Sequence, residues 1–236
     1  MWPEKRLDTQ AWQHYQRSVQ QRQAGVPVAY ITGQQGFWRM TLRVTPATLI
    51  PRPETEIVVE QALAYLQDEQ VVADLGTGSG AIAIALALEC PRVQVLAMDY
   101  SASALAVAQD NARQYQLQNI RFWQGSWLDA VKDHSLDMIV SNPPYIERDD
   151  PHLLQGDVRH EPDYALVAQQ NGLADIASII DQGRRCLVPG GRLILEHGYQ
   201  QAVAVKTVLQ RYGYQDLRSY QDYGGHDRVM SAQWPG

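Results

Sequence analysis

The chain has 236 residues, with 20 Lys and Arg against 26 Asp and Glu and a formal net charge of -6 at pH 7. This length suits one α/β domain with a substantial core and a small appendage, because domains usually hold about 100 to 200 residues. The acidic balance argues against a protein that grips nucleic acid mainly through its phosphates, a mode that needs clustered cations.

The first residues lack the apolar core of a signal peptide, and no later segment approaches about 18 uninterrupted apolar residues, which predicts a cytoplasmic protein without a membrane anchor. From 9 to 24, Trp12, Tyr15 and Val19 fall at helical spacing and predict one amphipathic helix. Residues 33–50 alternate around Phe37, Met40, Leu42 and Val44, as a hairpin does. In PRPETEIVVEQALAYLQ, Pro53, Glu54 and Glu56 mark a helix start, and Ile57, Val58, Ala62 and Leu66 supply its apolar face. Beyond it strands are predicted at 71–75, 93–98, 120–124, 136–141 and 191–196, alternating with helices at 80–89, 101–115, 173–187 and 199–211. Repeated strand-helix units imply an α/β fold whose mostly parallel sheet carries helices on both faces. Two closing strands, 214–220 and 226–234, joined through Gly224 and Gly225, bring the sheet to seven and predict an antiparallel finish. The two cysteines, Cys90 and Cys186, show no metal-ligand or redox spacing, so reduced thiols and no metal are expected.

The strand at 71–75 runs into DLGTGSGA, with Gly76, Gly78 and Gly80 where it gives way to a helix. Glycines there let the backbone turn sharply and let a ligand approach where a Cβ would collide, so a nucleotide-like cofactor is expected. Gly76, Gly78 and Ala81 also satisfy the looser dinucleotide fingerprint, with Asp99 about 20 residues on to bind a ribose; the loop alone does not choose between NAD and S-adenosyl-L-methionine. Two features tilt the choice. Asp74 puts a negative charge beside the loop, which suits a cofactor carrying an ammonium and a sulfonium better than a pyrophosphate. The other is Asn142-Pro143-Pro144-Tyr145, at the end of the strand 136–141.

An amide or exocyclic aromatic amine has a delocalised lone pair and attacks poorly. Acceptors from the Asn142 side chain and the Pro143 carbonyl would orient its NH2 group and favour charge building on nitrogen. Proline supplies no competing donor and fixes the direction of the carbonyl, while Tyr145 offers a flat face to a planar substrate. Methyl transfer of this kind gains mainly from proximity and orientation, so no His or Cys base or nucleophile is needed. His134, His160 and His197 sit in no hydride-transfer pattern.

These residues resemble the class I S-adenosyl-L-methionine-dependent methyltransferases, and within them the release factor glutamine methyltransferases known as HemK or PrmC. The likeness rests on LIPRPETE (49–56), DLGTGSGAIAIALA (74–87), SNPPYI (141–146), EPDYAL (161–166), LVPGGRLILEHG (187–198) and DYGGHDRV (222–229). It implies a Rossmann-like fold and methylation of the glutamine in the Gly-Gly-Gln motif of peptide chain release factors, with S-adenosyl-L-homocysteine as product. By matching position it assigns Gly76, Thr77, Gly78, Ser79 and Gly80 to the methionine end of the cofactor, Asp99 to the ribose and Trp127 to the adenine. Asn142, Pro143, Pro144 and Tyr145 would hold the glutamine, and Arg52 and Glu54 would shape the pocket from above. Ser126 stands where relatives often carry an acid. The family has a larger N-terminal helical domain that helps recognise the release factor. Residues 1–30 are expected to be a remnant of it, shortened naturally or by a downstream start, with 31–53 a hairpin linker and 54–236 the catalytic domain. A monomer without a nucleic-acid or membrane partner is expected. The competing substrates are an exocyclic amine of adenine or guanine in nucleic acid and a ribosomal-protein glutamine.

Overall fold

In the computed structural model, which describes residues 8–236, α1 (Thr9–Gln23) is capped by Asp8, whose carboxylate accepts the Ala11 amide at 2.6 Å. The part of the expected N-terminal remnant that precedes residue 8 lies outside the described residues. No residue of α1 is buried, and Trp12 and Tyr15 stack on its exposed face with ring centres 5.7 Å apart. A single turn, α2 (Val28–Thr32), leads to the hairpin of β1 (Gln34–Phe37) and β2 (Met40–Arg43). The hairpin is shorter than the predicted 33–50, because its last rung is the Val44 amide donating to the Gly33 carbonyl and residues 45–52 form no strand. A 3-10 turn at Pro53–Thr55 opens α3 (Glu56–Tyr65).

The alternating series follows as β3 (Val71–Leu75), α4 (Ala81–Glu89), β4 (Gln94–Asp99), α5 (Ala102–Gln114), β5 (Ile120–Gln124) and β6 (Leu136–Ser141). A pair of two-residue strands, β7 (Ile146–Glu147) and β8 (Val167–Ala168), brackets a strap of 3-10 turns, and a left-handed turn at α6 (Gln169–Gly172) precedes α7 (Ala174–Cys186). The chain closes with β9 (Leu187–Glu196), α8 (Ala202–Arg211), β10 (Gln215–Gln221) and β11 (Asp227–Gln233). The ninth strand begins four residues before the predicted 191, so the VPGG stretch is part of it, with an irregular register against β6.

The seven-stranded sheet has the order β10-β11-β9-β6-β3-β4-β5. Only β11 runs antiparallel, pairing with both β9 and β10, which is the predicted finish. Alternation along the strands splits the core in two, as a pleated sheet buried on both faces requires. Val72, Met138, Val140 and Ile194 pack beneath α3, α4 and the hairpin. Ala73, Ile139, Leu193 and Leu195 pack on α7 and α8 across the sheet. Helix α4 is buried from Ala81 to Ala87 on all sides, and its alternate alanines let it approach the sheet closely. The strand order reverses at β3, which has β4 on one side and β6 on the other. The carboxyl ends of β3 and β6 therefore open into one crevice, the place where parallel sheets bind ligands.

Candidate active site

Two adjoining recesses occupy that crevice. Gly76, Gly78, Asp99, Ser126, Trp127 and Asn142 line the first; Arg52, Asn142, Pro143 and Tyr145 line the second, so Asn142 belongs to both. The Ser141 hydroxyl donates to the Leu75 carbonyl at 2.6 Å, locking the ends of β6 and β3 side by side.

The loop after β3 is held from below and from the side. Buried Asp74 accepts the Thr77 hydroxyl at 2.6 Å and the Ala83 amide at 3.1 Å, so it ties the loop to the first turn of α4 and does not line either recess. Burial pushes its carboxyl up to about 7, against the pull of those two hydrogen bonds. Asp99 accepts the Gly78 amide at 2.9 Å with one oxygen and the Ser101 amide at 2.8 Å with the other, and it lines the first recess. Its carboxyl is raised mainly by burial. Thr77 and Ser79 are buried, and the Ser79 carbonyl accepts from Asn111. A Cβ on Gly80 would meet Ile84 and Ala108. These three residues thus shape the loop from inside, while Gly76 and Gly78 present it to the cleft. A Cβ on Gly78 would have no neighbour within 4 Å, which leaves open space for a ligand against the backbone.

The walls fit an adenosyl cofactor. The Asp99 carboxylate can accept from hydroxyls such as those of a ribose, and Trp127 and Met98 offer apolar faces for a ring. Asp175, unremarked in the sequence, adds an acid to the same recess beside Trp127; burial raises its carboxyl while the Trp127 side chain lowers it.

On the other side, Arg52 forms an ion pair with fully buried Glu161, whose second oxygen accepts the Ile50 amide at 2.9 Å. The Tyr164 hydroxyl donates to the Ala47 carbonyl. These contacts explain EPDYAL: it anchors the strap of residues 151–165 to residues 47–52 and builds the outer wall of both recesses. Glu54 lines neither recess; its charge acts on Glu196 from the turn before α3.

Behind Asn142 and Tyr145 lies a polar cluster that sequence spacing does not single out. The Asn142 amide nitrogen donates to the Thr55 hydroxyl oxygen at 3.0 Å, and the Thr55 hydroxyl donates to Glu196 at 2.7 Å. The Tyr145 hydroxyl donates to the other Glu196 oxygen at 3.1 Å. Burial pushes the Glu196 carboxyl up to about 7, although Thr55, Tyr145 and Arg228 all draw it down. Thr55 and Glu196 fall inside two of the quoted motifs, so the resemblance contained them without marking them. His134, His160 and His197 line neither recess.

Residues 54–156 match the methyltransferase small domain family, and residues 1–33 match the PrmC N-terminal domain. The release factor glutamine methyltransferase of Salmonella typhimurium is 53% identical over 217 residues, covering 92% of this chain and 78% of that protein. The Escherichia coli protein of the same description is 48% identical over 232 residues, 98% of this chain and 84% of its own. Among solved structures, a methyltransferase from Pyrococcus furiosus superposes with a TM-score of 0.64 at 17% identity, covering 94% of this chain and 98% of that one.

Proposed function

This chain belongs to the release factor glutamine methyltransferase family, and we propose roles for the residues that line its two recesses. The enzyme transfers a methyl group from S-adenosyl-L-methionine to a glutamine side chain of a release factor. The cofactor supplies an electrophilic methyl on a sulfonium. Gly76 and Gly78 admit it against the loop backbone, Asp99 accepts from its ribose, and Trp127 packs its adenine. Thr77, Ser79, Gly80 and Asp74 act from beneath by fixing the loop. Asn142 Oδ1 and the Pro143 carbonyl accept the two amide hydrogens of the incoming glutamine, that of the Gly-Gly-Gln motif, and Pro144 and Tyr145 flank its plane. Two acceptors on its N–H hydrogens push electron density back onto the amide nitrogen, favour the positive charge it gains as the methyl arrives, and aim it at the first recess. Arg52 holds the wall through Glu161, and Glu54 adds negative charge above Glu196.

The observation that carries this reading is the position of Asn142 at the junction of the two recesses, where one side chain faces both. The enzyme works as a cytoplasmic monomer, with the release factor as its partner and without nucleic acid or membrane; the formal net charge of -6 favours a protein acceptor over a polyphosphate one. The test is transfer of labelled methyl groups to purified release factor, to a variant with the Gly-Gly-Gln glutamine replaced, and to RNA and DNA. Label should appear on the intact factor alone; label on the glutamine-replaced factor or on nucleic acid would overturn the acceptor assignment.

A further inference from the structure

Asn142 can hold an acceptor amide only if its oxygen, and not its NH2 group, faces the second recess. A side-chain amide can present either, and the backbone does not decide between them. The decision comes from behind. Glu196 sits at the end of β9, fully enclosed, and as a carboxylate it can only accept. Its two oxygens take the hydroxyl protons of Thr55 and Tyr145. Thr55 has one hydroxyl proton; once that is given to Glu196, its oxygen can only accept toward Asn142. The Asn142 NH2 group must then point at Thr55, which leaves Oδ1 for the cleft.

We propose that Glu196 and Thr55 are positioning residues that set the polarity of Asn142, so that an ionised Glu196 holds the acceptor site in its methyl-accepting form. This rests on the reading that Asn142 Oδ1 binds the glutamine amide. With Glu196 protonated, the acid carries one donor and one acceptor. If the donor faces Thr55, the Thr55 proton is released toward Asn142, the amide turns over, and its NH2 group opposes the NH2 group of the substrate. The groups acting on Glu196 are Thr55 and Glu54 from the turn before α3, Tyr145 from the loop after β6 and Arg228 from β11, with His197 next to it in the chain. Arg228 favours the ionised form and Glu54 opposes it, while burial places the carboxyl near 7, within the range where turnover is measured.

The test compares kcat for release factor methylation, the KM for release factor and the Kd for S-adenosyl-L-homocysteine across wild type, Thr55→Val, Thr55→Ser, Glu196→Gln and Asn142→Ala. Thr55→Val keeps the shape and removes the relay; its kcat should fall about tenfold or more, the scale of losing one oriented group at a reacting centre, with cofactor affinity near wild type and a lowered thermal midpoint from the unpaired Glu196 oxygen. Thr55→Ser restores the hydroxyl and should recover most of the turnover. Wild-type kcat should decline on the acid side of about pH 7. Glu196→Gln imitates the protonated acid, so its kcat should be independent of pH and lie at the wild-type acid plateau. A merely structural Thr55 would lower the thermal midpoint and leave both kcat and its pH profile intact. Wild-type kcat in Thr55→Val together with an impaired Asn142→Ala would overturn the relay alone. Wild-type kcat in Asn142→Ala would overturn the acceptor reading and the relay with it. A pH-dependent Glu196→Gln enzyme that tracks wild type would remove Glu196 from the assignment.

Discussion

At the scale of single residues, Asn142 lines both recesses and Asp99 only the first, so their substitutions should have different effects. Asn142→Ala should remove one acceptor from the glutamine amide while leaving the loop after β3 intact, so kcat should fall by the equivalent of about 1 to 3 kcal/mol in transition-state binding and the Kd for S-adenosyl-L-homocysteine should change far less. Single-turnover kinetics beside calorimetry would separate the two. Asp99→Ala should do the reverse, weakening cofactor binding by roughly tenfold or more, since it deletes a charged acceptor and frees the Gly78 amide. An Asp99→Ala protein that binds cofactor normally would remove Asp99 from the ribose. The glycines, Asp99 and Asn142 were visible in the sequence because each stands at a strand end, where spacing itself carries meaning. Thr55 and Glu196 were not, because Thr55 meets Asn142 across 87 residues of chain and Glu196 across 141, and no periodicity links them. The sequence puts the Asp74 charge beside the loop, where it suits a cationic cofactor. The structure places it under the loop, a difference of side-chain direction that sequence does not encode.

At the scale of elements, hydrophobic period located every strand of the large sheet and its principal helices. It failed where structure is short or held by side chains. The strap after β7 is built of 3-10 turns tied by Arg52, Glu161 and Tyr164, and its residues repeat at neither 2 nor 3.6. The left-handed turn at α6 was equally hidden. Gln170, Asn171 and Gly172 have φ of 53°, 57° and 75°, and a Cβ on Gly172 would lie 2.1 Å from the Tyr145 carbonyl oxygen. Gly172→Ala must therefore push the Tyr145 backbone out of place or unwind the turn. Gly190 has φ of 85° and no such neighbour, its nearest being the Gln233 side chain at 3.8 Å. Gly190→Ala should lose about 1 to 2 kcal/mol of stability from backbone strain and keep its turnover, whereas Gly172→Ala should lose stability and kcat together. Equal turnover in the two variants would show that the turn does not position Tyr145.

At the scale of the whole molecule, two buried carboxyls, Asp74 and Glu196, both sit near 7, well above the ordinary carboxylate range. Each binds a proton in the folded chain more tightly than in the unfolded one. Their contribution to stability is complete below about pH 4 and is lost as the pH rises through about 7. The lowered carboxyls Asp150, Asp216 and Asp222 act below that window. His197, lowered by burial, opposes the trend just below its ordinary value. Asp74→Asn should therefore flatten the fall in thermal midpoint of the cofactor-free protein between about pH 5 and 8, measured as the difference from wild type. A difference that stays constant across that range would rule out Asp74 as a proton-linked group. The fold class is legible at this scale because alternation of strand and helix leaves few topologies, whereas the order of the strands is not, since pairing partners of a parallel sheet are distant in sequence.

The contact between Trp127 and the glycine loop has an optical consequence. Among the described tryptophans, Trp127 alone lines the cleft, with its six-membered ring 3.6 Å from where a Cβ on Gly76 would lie. A purine stacked there would quench the indole by direct contact, making the protein its own fluorescent reporter of occupancy. Emission should dim in proportion to bound S-adenosyl-L-homocysteine, and Trp127→Phe, which keeps an aromatic face, should darken the signal while calorimetry still records binding. The protein would then need no label to reveal, on the stopped-flow timescale, when its cleft fills and when it empties.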